Sequence, residues 1–109
     1  MASRRKALIT LLSAPFLLAV GAQEAEAAQH KVRIQSMRFS PSTLKVKVGD
    51  TVVFENRDSL DHTATALDDS WDTGNLGSRK SGAITFATKG EFKYFCRWHK
   101  GMRGKIIVG

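Results

Sequence analysis

The stretch Leu44–Asn56, "LKVKVGDTVVFEN", indicates the fold most clearly. Its first five residues alternate between apolar and charged side chains, which is the period of a β-strand with one face in a core. Gly49 and Asp50 then give a turn signal, and the apolar run "TVVFEN" begins a second strand. The apolar residues of the first strand are expected to point into the core: Leu44, Val46 and Val48.

The rest of the chain repeats this pattern of short alternating runs separated by turn residues. Residues 30–39, "HKVRIQSMRF", are expected to direct Val32 and Ile34, and also Met37 and Phe39, into the core. Residues 68–79 are rich in Asp, Ser and Gly and are predicted to form a loop. About seven short strands with turns roughly every 8–12 residues indicate an all-β sandwich or barrel, and no stretch has a clear helical period.

The N-terminal segment has the plan of a secretory signal. Three basic residues in "MASRRK" precede the uncharged run Ala7–Val20, and small residues follow at Ala25 and Ala27. The run is shorter than the roughly 20 apolar residues that cross a bilayer. Residues 1–28 are therefore predicted to be a removed signal peptide and residues 29–109 the mature domain. Cleavage after Ala27 and cleavage after Ala28 both remain open.

Export predicts a bacterial periplasmic protein, by the twin-arginine or the general secretory route. Arg4-Arg5 suits the first route, and ordinary signals also carry basic residues there. The net charge of +7 favours acidic partners. Export argues against nucleic acid as the partner. His30, close to the start of the mature chain, is expected to be frayed.

The single cysteine, Cys96, excludes an internal disulfide. It begins the motif "CRWHKGM", in which Cys96, His99 and Met102 are spaced three apart on a connection between strands. A further histidine, His62, follows the polar turn "NRDSLD". One thiolate, two imidazoles and one thioether are the donors of a blue-copper electron-transfer site. The predicted metal ligands are His62, Cys96, His99 and Met102, with one copper ion as the cofactor.

Other interpretations of these residues fit less well. Structural zinc prefers Cys and His and binds thioether poorly. A catalytic Cys–His pair would need a third orienting residue, and none stands out. Copper delivery without redox turnover remains the alternative, although the sequence lacks the Met- and His-rich tracts of a flexible carrier. A copper enzyme would need a second metal site, so no enzyme activity is expected.

From about Val32 to Val108 the chain resembles the cupredoxins, in particular the branch that contains amicyanin, pseudoazurin and plastocyanin. The stretches that carry the resemblance are "FSPSTLKVKVGDTVVFEN", His62 and "GEFKYFCRWHKGMRGKIIV". It implies a Greek-key β-sandwich and the four copper ligands named above. It also implies a monomeric shuttle that passes single electrons between larger redox proteins, such as a c-type cytochrome or a periplasmic dehydrogenase. An acidic docking face is expected on that partner, and no membrane span in the mature form.

Three departures from the family pattern are visible. Thr63 stands where Asn commonly follows the first ligand His, and its hydroxyl is expected to replace part of that link. Trp98 stands where Pro often precedes the second ligand His; it is either an exposed contact residue or a cover over the loop. The interval from His62 to Cys96 is short, which predicts one lost or shortened edge strand. Basic residues surround the loop and predict a docking face: Lys93, Arg97, Lys100, Arg103 and Lys105.

Overall fold

The computed structural model describes residues 27–109, which form eight β-strands. This confirms the all-β prediction, with one strand more than expected. The strands are β1 (Gln29–Gln35), β2 (Arg38–Ser40), β3 (Thr43–Val46), β4 (Thr51–Asn56), β5 (Thr65–Ala66), β6 (Ser81–Thr85), β7 (Gly90–Phe95) and β8 (Arg103–Val108). No helix in this part of the chain is long and apolar enough to cross a membrane.

The strands build two four-stranded sheets, which together make a sandwich. One sheet has the order β2-β1-β4-β6 and the other β3-β8-β7-β5. β1 pairs in parallel with β4, and β3 pairs in parallel with β8, whereas the other pairs are antiparallel. The last two long strands, β7 and β8, are neighbours in the middle of their sheet. The connection between them carries the predicted motif.

Aromatic side chains fill the space between the sheets around Tyr94. Its ring centroid lies 4.7 Å from that of Phe39, 5.4 Å from Phe54 and 5.5 Å from Trp71. Gly104 is the cross-strand neighbour of Tyr94, and a Cβ there would clash with the tyrosine ring. This close approach explains why a glycine follows the start of β8.

Two core predictions were wrong, and both failed residues lie just outside a strand. Met37 is 40% exposed because Ser36 and Met37 form the two-residue turn between β1 and β2, with φ of 55° and 60°. Val48 is 51% exposed because β3 ends at Val46 and the chain is already turning. Alternation predicts a face only while the strand continues.

The interval between the two predicted ligand segments is short of regular structure, as expected. β5 has two residues, and beyond it Asp72 and Leu76 make isolated bridges to Thr65 and His62. Leu76 is buried and Trp71 packs on the core, so the loop that contains them is packed against the sandwich.

Candidate metal centre

The four predicted ligand residues lie on two segments at one end of the sandwich. His62 follows β4 and is fixed by two backbone hydrogen bonds with Leu76, of 3.1 and 2.7 Å. Cys96, His99 and Met102 lie on the connection between β7 and β8. The two segments meet at Cys96, whose Sγ is 3.7 Å from His62 Nδ1.

The His62 ring is fully buried and its orientation is set by Asp58. His62 Nε2 lies 2.9 Å from Asp58 Oδ2. A carboxylate can only accept, so Nε2 carries a proton, and whenever the ring is neutral Nδ1 keeps its lone pair. That lone pair belongs to the nitrogen beside the Cys96 sulfur, which is the nitrogen a metal ligand must offer.

Asp58 is a functional residue that the sequence reasoning missed. Its carboxylate also accepts the backbone N–H groups of Ser36 and Met37, at 2.7 and 3.0 Å. Burial raises the pKa of Asp58, but the hydrogen bonds from Met37, Ser36 and His62 outweigh it and lower the pKa below its ordinary value. Asp58 therefore stays charged and ties the β1–β2 turn to the imidazole. The only sequence signal for Asp58 is its position four residues before His62. Asp61 is closer to His62 in the sequence, so the sequence does not single out Asp58.

The loop that begins at Cys96 is folded by its own backbone. His99 N donates to Cys96 O at 3.2 Å, and Met102 N donates to His99 O at 2.9 Å. Cys96 N donates to Met102 O at 3.1 Å, which closes the loop. Cys96 is fully buried and Met102 is 5% exposed. The spacing of three therefore gives two successive turns that bring both sulfur-bearing residues inward.

His99 is held more loosely than His62. Its ring is half-buried, and its centroid lies 5.1 Å from that of His62 at an interplanar angle of 61°. Within residues 27–109 no hydrogen bond to the His99 ring is formed. Trp98 is 58% exposed, and its Nε1 donates to Asn75 Oδ1 at 2.8 Å. Trp98 is therefore exposed, which argues against the prediction that it covers the loop.

Thr63 joins the two segments, as its hydroxyl was expected to do. Thr63 N donates to Cys96 Sγ at 3.4 Å, and Thr63 Oγ1 accepts from Arg97 N at 2.9 Å. A second hydroxyl extends this series of hydrogen bonds, since Thr63 Oγ1 lies 2.9 Å from Thr65 Oγ1. Because Thr65 donates to Asp72 Oδ1 at 3.0 Å, the Thr63 hydroxyl must donate to Thr65.

Asp72 closes this series into a ring of hydrogen bonds. Its Oδ2 accepts from Nε and Nη2 of Arg97, at 3.2 and 3.1 Å. Burial raises the pKa of Asp72, but the bonds from Gly74, Thr65 and Arg97 lower it below its ordinary value. The backbone and the guanidinium of Arg97 are thus both bound, directly or through the two threonines. Sequence reasoning foresaw Thr63 but missed Thr65 and Asp72.

The donor set fits a soft metal rather than a hard one. Across residues 27–109, no three side chains of the His, Cys, Asp or Glu type gather as a metal-binding group. His62 and Cys96 are in contact, and His99 and Met102 lie on the same loop as Cys96. Imidazole, thiolate and thioether suit copper, whereas the nearby carboxylates of Asp58 and Asp72 are already bonded to protein groups.

The family model described as "Cupredoxin-like domain" matches residues 8–108. The chain belongs to the cupredoxin family. This confirms the resemblance found in the sequence and agrees with the observed sandwich.

Amicyanins are among the most similar cupredoxins. Amicyanin-alpha of Methylorubrum extorquens is 29% identical over 111 residues, covering 94% of this chain and 93% of the relative. The amicyanin of Paracoccus denitrificans is 34% identical over 82 residues, covering 71% of this chain and 63% of the relative. A solved mutant amicyanin in its Cu(I) form superposes with a TM-score of 0.70 at 28% identity, covering 74% of this chain and 82% of that chain.

Proposed function

We propose that the protein is an electron carrier that gains and loses one electron at a single copper ion held by His62, Cys96, His99 and Met102. The observation that carries the proposal is the contact of 3.7 Å between the buried Cys96 Sγ and His62 Nδ1. A buried thiol beside an imidazole whose far nitrogen is already bonded is an arrangement made for a soft metal. The copper form of the solved amicyanin relative supports the choice of copper.

The protein residues fix the donors before a metal arrives. Asp58 holds the His62 ring, the Thr63 N–H points at the Cys96 sulfur, and the turn bonds hold Met102 inside. When bound, copper supplies the couple between Cu(II) and Cu(I). Donor positions that change little between the two oxidation states would limit the atomic movement that accompanies electron transfer. Burial of Cys96 also keeps water away from the thiol.

Copper loading tests the proposal directly. Addition of Cu(II) to the purified apoprotein is expected to give an intense visible charge-transfer band and a reversible one-electron wave in voltammetry. Cys96→Ser should abolish the band, and adding Ser70→Cys to that variant should not restore it, because a surface thiol is not enough. A pale complex without a voltammetric wave would count against an electron carrier and favour copper delivery.

The surface beside His99 is proposed as the docking face for a redox partner. Exposed apolar side chains lie on loops at this end: Met37 (40% exposed), Leu60 (51%) and Trp98 (58%). Arg97 pairs with Asp72 and Asp69, and Lys105 pairs with Glu91. Among residues 27–109, Lys93, Lys100 and Arg103 have no ion-pair partner. Of the five basic residues near the loop, these three are left to meet an acidic partner.

A redox protein with an acidic face, such as a c-type cytochrome, serves as the probe of this face. At low ionic strength Lys100→Glu is expected to slow electron exchange about 10-fold, and salt should remove the difference. The matched control is Lys45→Glu, an equal charge change on β3 at the far end. Equal slowing in both variants would overturn a localised docking face and leave only an effect of net charge.

The proposed place of action is the bacterial periplasm, since the N-terminal segment has the plan of a secretory signal. Residues 1–26 of the predicted segment 1–28 lie outside the described residues.

A further inference from the structure

Asp50 is a buried carboxylate at the end of the sandwich opposite the metal centre. It is 4% exposed and directly precedes β4. Its Oδ1 accepts from Ala28 N at 2.9 Å; its Oδ2 accepts from Lys47 N at 2.9 Å and lies 2.8 Å from His30 Nε2. These bonds, led by the one from Ala28, lower the pKa of Asp50 to about 2. His30 is therefore held in place, and the expectation that it is frayed was wrong.

Ala28 is bound to the sandwich through both of its backbone groups. Its N–H donates to Asp50, and its carbonyl oxygen accepts from Thr51 N at 3.0 Å. β1 begins at the next residue, Gln29, while Ala27 is exposed. Cleavage after Ala28 would remove both bonds and leave Asp50 with one donor fewer. Cleavage after Ala27 would keep both.

We propose that the chain is cut between Ala27 and Ala28, and that the new α-ammonium group of Ala28 forms an ion pair with Asp50. Water cleaves the Ala27–Ala28 amide: its oxygen completes the carboxylate of Ala27, and the nitrogen of Ala28 becomes an amine that is protonated at neutral pH. Ala25 and Ala27 are the small residues that such a cleavage requires. Processing thus turns a neutral donor 2.9 Å from a buried carboxylate into a charged one.

Cleavage affects the stability of the fold because it creates a positive charge beside the buried Asp50 carboxylate. Burying a carboxylate costs folding free energy unless the group is paired and hydrogen-bonded. The α-ammonium supplies the opposite charge at every pH below its own pKa. The groove of 480 Å³ around this site is also lined by His30, Lys45 and Lys47. Of these, His30 contacts Asp50 directly, and its charge depends on protonation.

The pH range of the ion pair follows from its two members. The pKa of Asp50 is lowered, so its stabilising contribution is present above the ordinary value near 3.9 and is lost as the pH falls towards about 2. An α-amine ordinarily has a pKa of about 7.7–8.0, and a neighbouring carboxylate raises it. Its contribution is present below that ordinary value and is lost as the pH rises through the raised pKa.

The test uses the full chain, expressed from Met1 in a bacterium and recovered from the periplasmic fraction. Intact mass and N-terminal sequencing are expected to place the first residue at Ala28. A first residue of Gln29, or a retained signal segment, would overturn the proposal.

The ion pair is tested on the same product by the pKa of its α-amine, followed with isotope-labelled reductive methylation across pH. The pKa is expected to lie above the ordinary range and to return to it in Asp50→Asn. It should stay raised in Asp68→Asn, the matched exposed control, and in His30→Gln, which leaves the Ala28 contact intact. If Asp50→Asn does not fold, the α-amine pKa of the processed chain without substitutions is the test of the pairing. An ordinary or lowered α-amine pKa would refute the pairing.

Discussion

The His62 ring is buried with its Nε2 bonded to Asp58, whereas the His99 ring is half-buried and bonded to no side chain in residues 27–109. The difference comes from the segments that carry them. His62 lies on a bridge to Leu76 beneath a carboxylate, and His99 lies between two backbone turns. One imidazole is therefore oriented by the protein, and the other is positioned only by its loop. Under the proposed function, the first ring would hold the metal in place, and the second would pass electrons to the surface.

Removing each ring in turn gives the largest expected effect. Imidazole added in solution should restore the visible band of copper-loaded His99→Gly, because the gap opens to solvent. His62→Gly should need at least about 10-fold more imidazole, since a buried site admits it poorly and Asp58 is left without its partner. Titration of absorbance against imidazole concentration measures the difference. The reverse order would contradict the comparison.

Asp58→Asn tests whether the orientation of His62 matters for metal binding. The loss of a carboxylate bonded to a ligand imidazole is expected to lower copper affinity about 10–100-fold. Asp61→Asn is the control, because Asp61 is a nearby exposed carboxylate that contacts Asn75 instead. Competition with a chelator of known affinity measures the copper affinity of both variants. Similar losses of affinity would mean that only the change in net charge affects copper binding.

Thr63→Val keeps the shape of the link between the two segments but removes its hydroxyl. The partly buried Arg97 N–H and the buried Thr65 hydroxyl then each lose a partner, which should cost about 1–3 kcal/mol of unfolding free energy. Thr63→Ser retains the hydroxyl and should recover most of the loss. Denaturant unfolding of the apoprotein measures it, and equal losses in the two variants would point to packing rather than hydrogen bonding.

Asn75→Ala should have the smallest effect. Asn75 accepts from the Trp98 indole at an exposed position, where a hydrogen bond contributes roughly 0.5–1 kcal/mol. The reduction potential is expected to stay unchanged, because the turns of the ligand loop are made by backbone groups. A marked shift in voltammetry would show that the Trp98 side chain holds His99 after all.

The parts of the molecule that the sequence predicts well are those with a local signature. Val32 and Ile34 alternate with polar neighbours and are buried as expected. Cys96, His99 and Met102 have a spacing that fits their turns. The burial predictions for Met37 and Val48 were wrong because the apolar pattern does not show that the strands end before these residues.

The contacts of Asp58, Asp72 and Asp50 lay beyond sequence reasoning for another reason. Each carboxylate serves backbone or side-chain groups distant in the chain, such as Ser36 for Asp58 and Ala28 for Asp50. An acidic residue in a polar turn looks the same whether it binds such a group or faces water. Only the folded chain distinguishes the two.

The hydrogen-bond ladder between β7 and β8 is complete without the loop that carries Cys96, His99 and Met102. Phe95 pairs with Arg103 in the last register of β7 and β8, and the Cys96–Met102 backbone bond adds one step beyond. Neither sheet depends on residues 97–101 for its register. A change of length or sequence in this segment is therefore expected to leave the sandwich in place. Under the proposed function, substitutions at these five positions would alter the metal centre without redesigning its scaffold.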